Sequence, residues 1–425
     1  MKTRSNNNKN KNKNNKTVKN MSNSFGYRLR SSVAYNRRLK RSKRRRLAPK
    51  PTFVIPEEYK DITATIDANA IRHNVDYLRK KSGTDIMPVL KANAYGHGVI
   101  GVSKILRAYG VKNIGVATLG EAIMLRESGD KGRIVAWLYD INGPEVKKAI
   151  MDNIEIAIID DKFIKKIADM VPAKKKCKVH IFVDTGIDRA AIPYTLAVHS
   201  AKQIAANPKL ELVGLMSHFI QSEYKNDPTT LKQLKLFRKL RYDIEVKNKI
   251  PIEHVHIANS GGCLNYNVSD FTLARPGLAV YGLDPSGKYN KHLQPVMTLT
   301  TKIIQIKNIS KGSDVGYDNK YIAPKNIRIC VAPIGYADII PRSSSGKLYV
   351  FINGTKRKVL GRISMDQIVI EAKEGDKIGD EIFIFGDPTK GAKQTAYDVA
   401  KASNTITDEL IIRTNYRVNL KYVNV

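Results

Sequence analysis

From residue 86 onward the chain alternates short apolar runs with longer amphipathic stretches. The runs are IMPVLKA (86–92), NIGVAT (113–118), RIVAWL (133–138), EIAIID (155–160), KVHIFVD (178–184), LVGLMSHF (212–219), HVHIAN (254–259) and LARPGLAVYG (273–282). Each is rich in Val, Ile and Leu and bounded by turn residues, as a strand buried on both faces should be. Between them, EVKKAIMDN, KFIKKIADMV and TLKQLKLFRKLRYDI repeat apolar residues at helical spacing. GGCLNYNVSDF leaves room only for a short crossover. Eight such units predict an α/β fold, a (β/α)8 TIM-type barrel over residues 60–290. The rhythm then changes. VMTLTTKIIQIKNI, IRICVAPIGY, KLYVFING and EIFIFG are β-branched and partly alternating. Asn353-Gly354 signals a hairpin, and TAYDVAKASNTITDELIIRT reads as helical. Residues 291–425 are therefore expected to form a mainly β C-terminal domain.

In such a barrel the chemistry sits at the C-terminal ends of the strands. Those ends carry Lys91, Asp184, Thr185, His218, Asn259 and Ser260, a set of residue types that suits a site better than a core. A lysine at a strand end either snorkels to water or forms a Schiff base with a carbonyl cofactor, and spacing alone leaves both readings open. His254 and His256 share one strand face. With no third ligand in view they are expected to pack in the barrel rather than hold a metal.

Charge changes the picture at one end only. The 425 residues carry a net charge of +34, and residues 1–50 hold 18 Lys/Arg with no Asp or Glu. A polar, low-complexity stretch of this kind cannot bury enough apolar surface to order itself, so residues 1–55 are expected to be a disordered basic Asn/Lys/Arg-rich tail. Its Lys40–Arg46 block fits a nuclear or nucleic-acid patch, an organelle-targeting segment, or a solvated extension with no dedicated role. Nucleic acid is expected as a partner only through this tail. Three cysteines, Cys177, Cys263 and Cys330, give no disulfide framework or zinc spacing and point to the reducing cytoplasm. No run reaches the ~18 apolar residues of a membrane helix, so no membrane association is expected.

The string Lys91-Ala-Asn-Ala-Tyr95-Gly-His97-Gly98 resembles the pyridoxal-5′-phosphate (PLP) lysine motif of the alanine racemase family. IDANAIRHN, VDTGIDR (183–189), MSHF (216–219), HIANS (256–260), ARPGLAVYGLDPS (274–286), VGYDNKYIA (315–323), APIGYAD (332–338) and GRISMDQ (361–367) resemble its other blocks in order. The resemblance runs from about residue 61 to 425. It implies an isomerase that supplies D-alanine, with PLP on Lys91 as a Schiff base. Lys91 and Tyr317 would be bases on opposite faces of the substrate Cα. Tyr95, Ser260 and the backbone of Gly277 and Leu278 would bind the phosphate. Arg275 would face the pyridine nitrogen and, with His218, tune the two bases. Arg189 would meet the substrate carboxylate. Tyr317, Tyr336, Met365 and Asp366 would close the pocket of a neighbouring subunit, so a homodimer is implied.

Two positions depart from the family pattern. Phe182 stands where a carbamylated lysine often positions the substrate-binding arginine. Asp408 stands where a phosphate-contacting tyrosine is common, and a carboxylate repels phosphate. Asp408 is expected to turn away or to meet something cationic or hydroxylic. These departures keep a serine or broad-specificity racemase as an alternative. A non-catalytic PLP-binding protein and a nucleic-acid-binding relative are further ones, the former opposed by Tyr317 and the β-rich end.

Overall fold

A computed structural model describes residues 55–425. The basic tail expected at 1–55 falls, apart from Ile55, outside them. Strand β1 (Ile62–Asp67) alternates buried and half-buried positions. It lies within the span expected for the barrel, yet it pairs only with strands from the far end of the chain. Asp67 then caps the helix Ala68–Ser82 by accepting from the Asn69 N–H, and Gly83 ends that helix at φ 70°.

The barrel strands follow: β2 (Asp85–Ile86), β3 (Asn113–Thr118), β4 (Arg133–Leu138), β5 (Glu155–Ile158), β6 (Cys177–Phe182), β7 (Leu210–Met216), β8 (His254–His256) and β9 (Leu273–Ala274). β3 to β8 form a parallel sheet in chain order, and β2 pairs in parallel with β9. The ring closes through two seams. On one side Val89 bridges Gly115. On the other, the Thr272 N–H donates to Val255 O (3.1 Å) and the Arg275 N–H to Ala258 O (2.7 Å). Helices lie between the strands where the helical spacing placed them, including Pro144–Met151, Phe163–Met170 and Pro228–Tyr242.

The first and eighth runs form shorter strands than their apolar length suggests. Pro88 and Pro276 have no N–H to donate to a ladder, and Leu278–Tyr281 winds into a 3₁₀ turn instead of continuing the strand. The expected short crossover is the six-residue helix Ser260–Asn265.

The second sheet adds β10 (Met297–Lys302), β11 (Gln305–Ile309), β12 (Ile327–Ala332), β13 (Tyr349–Ile352), β14 (Thr355–Leu360), β15 (Ile368–Glu371), β16 (Glu381–Phe385) and β17 (Val418–Val423). With β1 it is nine-stranded, in the order β11-β12-β15-β14-β13-β16-β10-β1-β17. Asn353 and Gly354, at φ 48° and 69°, close the β13–β14 hairpin as its signal predicted. The helical stretch near the C-terminus is two pieces, Ala396–Ala402 and Thr407–Ile411, broken where Asn404 takes φ 54°.

Candidate active site at the barrel mouth

Directly after Lys91 the backbone makes a turn of left-handed helix: φ is 51°, 55°, 55° and 50° at Ala92, Asn93, Ala94 and Tyr95. This conformation is unfavourable by roughly 1–2 kcal/mol for each L-residue, so the surroundings must hold it. They do so with specific bonds. The Ala92 N–H donates to Glu121 Oε1 (2.7 Å) and the Val99 N–H to Asn93 Oδ1 (2.9 Å). His97 Nδ1 donates to the carbonyls of Ala94 (3.1 Å) and Tyr95 (2.8 Å), and its ring stacks on Tyr281 at 4.5 Å.

Burial drives the His97 pKa down to about 4, so the folded protein keeps this ring neutral. An unfolded histidine takes its proton near 6.5. As pH falls from about 6.5 to about 4, the unfolded state therefore binds the extra proton and stability declines, by roughly 3 kcal/mol from this ring alone. The urea midpoint should drop across that window. A His97 imidazole signal titrating near its ordinary value would contradict this account.

The turn aims Lys91 into a cavity of about 460 Å³ at the C-terminal mouth of the barrel. The structure brings Lys91, Tyr95, Arg189, His218, Ser260, Arg275, Gly277 and Leu278 together in its lining. Lys91 stays open to solvent. Even so, the walls desolvate its ammonium and Arg189 adds repulsion, so its pKa falls although Asp408 and Glu121 oppose the shift. His218 is driven well below its ordinary pKa, first by burial and then by Arg275, Arg189 and Lys91. Its Nδ1 lies 3.4 Å from Arg275 Nη2; the guanidinium can only donate, so the imidazole accepts. At the rim, Ser260 Oγ accepts the N–H groups of Gly277 and Ala279, both at 3.1 Å. A Cβ at Gly277 would stand 2.3 Å from Tyr95 Oη, so only glycine lets backbone and hydroxyl share that space.

The profile of the alanine racemase N-terminal domain matches residues 66–285, and that of the C-terminal domain matches residues 296–422. The chain belongs to the alanine racemase family. The alanine racemase 2 of Caldanaerobacter subterraneus subsp. tengcongensis is 33% identical over 377 residues, covering 86% of this chain and 96% of that one. The alanine racemase 1 of Clostridium acetobutylicum is 34% identical, covering 85% and 95%. Among solved structures, the alanine racemase of Streptomyces coelicolor A3(2) superposes with a TM-score of 0.81 at 33% identity, covering 86% and 98%.

Four residues that the alanine racemase blocks single out lie away from this cavity, among them Asp366, which pairs with Arg417 Nη1 at 2.5 Å. Tyr317 is 63% exposed and Met365 51%, and neither they nor half-buried Tyr336 line it. They share one corner of the second sheet. Asp318, next to Tyr317, pairs with Arg362 Nε (2.6 Å), and the Tyr336 and Ala337 N–H groups donate to Ser364 O and Met365 O.

Both departures from the family pattern reach the cavity. Phe182 lines it while packing on Ala157 and Met216. Arg189, without a lysine derivative beside it, is exposed. Asp408 does not turn away. It lines the cavity, burial raises its pKa, and the cation it faces is Lys91.

Sequence reading passed over two contributors. Trp137 lies within β4 and lines the cavity; the strand-end rule applied to RIVAWL would have brought it out. Glu121 anchors the left-handed turn at Ala92 from the capping box of the helix Leu119–Glu127, and T-L-G-E carries that signature in the sequence.

Proposed function

We propose that this chain is a PLP-dependent alanine racemase that interconverts L- and D-alanine with two bases, Lys91 and Tyr317. The convergence of Lys91 with Arg275, Arg189 and the Gly277–Ser260–Tyr95 rim in one mouth carries this reading. The residues present fit the cofactor. The Ser260 and Tyr95 hydroxyls gather at the Gly277 backbone, where a Cβ would displace Tyr95 Oη, and such a cluster of donors suits a phosphate. Lys91 offers an amine of lowered pKa, and buried Arg275 offers donors only. When bound, PLP supplies an electron-withdrawing ring that stabilises negative charge at the substrate Cα.

The chain's own groups do the rest. Lys91 Nζ takes or returns the proton on one face of Cα, and its lowered pKa favours the free amine this requires. Arg189 meets the substrate carboxylate with two parallel N–H donors. Buried Arg275, which can only donate, would hold the ring nitrogen unprotonated if it faces that nitrogen, and so would favour prompt return of a proton to Cα. The Tyr317 hydroxyl serves the opposite face. Because Tyr317 and Met365 stand exposed in their own chain, with half-buried Tyr336 beside them, we infer a homodimer in which each chain lends this corner to its partner's mouth. The buried free thiols of Cys177, Cys263 and Cys330 suit the cytoplasm. Among the described residues, no helix is long and apolar enough to cross a membrane.

The deciding test incubates the purified full chain with PLP and either L-alanine or L-serine, then resolves the enantiomers by chiral chromatography. D-Alanine should accumulate towards an equal mixture. Faster turnover of serine would assign Asp408 a role in accepting a hydroxyl, and no D-amino acid from either would sink the proposal.

Gly277→Ala should weaken PLP by roughly 10–100-fold, about 1.4–2.8 kcal/mol, because the new methyl displaces Tyr95 Oη. Trp137 is the protein's single tryptophan and lines the cavity, so quenching of its fluorescence reports the titration. An unchanged affinity would remove the phosphate from this rim.

A further inference from the structure

A line of polar side chains crosses the barrel interior. It starts at Glu155, the first residue of β5, passes His180 in β6 and His256 in β8, and ends at Arg275 beside the cavity. All four are buried, with 3%, 0%, 0% and 4% of their surface exposed. Barrel interiors are ordinarily filled by branched apolar side chains, and burying charge there is unfavourable unless every group is paired. Here the pairing is complete. Arg275 Nη1 lies 2.8 Å from His256 Nδ1, His256 Nε2 lies 3.1 Å from His180 Nδ1, and His180 Nε2 lies 2.8 Å from Glu155 Oε2.

A donor-only guanidinium at one end and an acceptor-only carboxylate at the other fix the direction of the line together. Arg275 can only donate, so His256 Nδ1 must be a bare acceptor and its proton must sit on Nε2. That proton points at His180 Nδ1, which must accept, so His180 carries its proton on Nε2 and donates to the carboxylate. Arg133 Nε holds the other carboxylate oxygen, Oε1, at 2.6 Å. The chain also keeps space for the line. Gly214 pairs with His180 across β6 and β7, and a Cβ there would lie 1.8 Å from His180 Nδ1. Arg275 forms no ion pair of its own among the described residues; its other bonds go to His256 O, Ser217 O and His218 Nδ1.

We propose that Glu155, at the far end of the barrel from the cavity, is a positioning residue for the reaction. Through His180 and His256 it fixes which nitrogens carry protons beneath Arg275. The consequence for turnover rests on the reading that Arg275 faces the cofactor ring; the proton pattern does not.

Glu155→Gln tests both. Arg133 will claim the amide oxygen, because it too can only donate. The amide NH2 then faces His180 Nε2, which must accept, and the line reverses until His256 presents an N–H to Arg275. In ¹⁵N-histidine-labelled protein without cofactor, wild type should show His256 with Nδ1 bare and Nε2 protonated. Glu155→Gln should change the signals of both imidazoles. In the PLP-loaded enzyme the variant should shift the cofactor absorbance and lower kcat about tenfold, as loss of an outer partner of a catalytic group does, with KM nearly unchanged.

A protonated His256 Nδ1 in the wild type overturns the proposal, and that measurement stands even if the variant does not fold. Unchanged imidazole signals in a folded Glu155→Gln protein overturn it too, as does a reversed line that leaves absorbance and kcat untouched. Wild-type protein that binds PLP without racemising alanine would instead overturn the function proposed above, and the imidazole signals would judge the line on its own.

Discussion

Lys91→Ala should abolish racemisation, with a loss on the order of 10⁴-fold. The substitution removes two things at once: the amine that would hold the cofactor and the base on one face of the substrate. Nothing else in the cavity replaces it. Borohydride treatment followed by mass measurement should leave a pyridoxyl group on wild-type Lys91 and none on the variant. A small primary amine added to the medium should recover a fraction of the activity, since the cavity loses a side chain and keeps its walls. A variant that racemises at the wild-type rate would refute the assignment of Lys91.

Tyr317→Phe should lower kcat by roughly 10²–10⁴-fold while leaving bound PLP in place. A side chain that is 63% exposed and outside its own cavity contributes little to its own chain's site, and this makes the sharper experiment a mixture. Lys91→Ala and Tyr317→Phe protomers are each inactive alone. If each mouth combines Lys91 of one chain with Tyr317 of the other, half the dimers in an equal mixture are hybrids with one intact site apiece, so activity should return to about a quarter of wild type. Mixing that restores nothing would place both bases within one chain and would require the Tyr317 loop to move.

The barrel was legible because buried parallel strands announce themselves as short Val/Ile/Leu runs, and six of the eight runs became β3 to β8 nearly as read. The first and last misled through their length, since apolar character continues past Pro88 and Pro276 whereas strand pairing does not. The helical stretch at 395–414 carried its periodicity across a break that Asn404 makes with a positive φ, a choice invisible to residue spacing. The left-handed turn after Lys91 was beyond any local rule. Two of its members are alanine, which has no intrinsic leaning to that conformation, and the tertiary bond from Glu121 together with the side-chain bonds of His97 imposes it.

The candidate site divides along the same line. Strand ends located Lys91, His218 and Ser260, while the blocks shared with the family located Arg275, Gly277 and Leu278; all converge in the structure. Tyr317, Tyr336 and Met365 do not; in the dimer proposed above, a surface completed by a second chain would leave no trace in the packing of the first. The path from Arg275 to Glu155 was hidden for another reason. His254 and His256 stood out as a pair on one face, but the partners that matter to His256 come from β6 and from beyond β9, so only closing the ring reveals them.

The position of β1 bears on how the protein is born. Thr301 hydrogen-bonds Asp61 O at the base of this strand across 240 residues, and Asn424 reaches Asp67 across 357. On a ribosome, Ile62–Asp67 emerges early and has no native neighbour until most of the chain has followed it, while the barrel units can pair as they appear. Until then the segment is an unpaired apolar edge, open to association with other nascent chains. A polypeptide stopped before Val418 would complete its barrel yet leave β1 bare along one side, so late truncation should yield insoluble protein rather than a shorter soluble one.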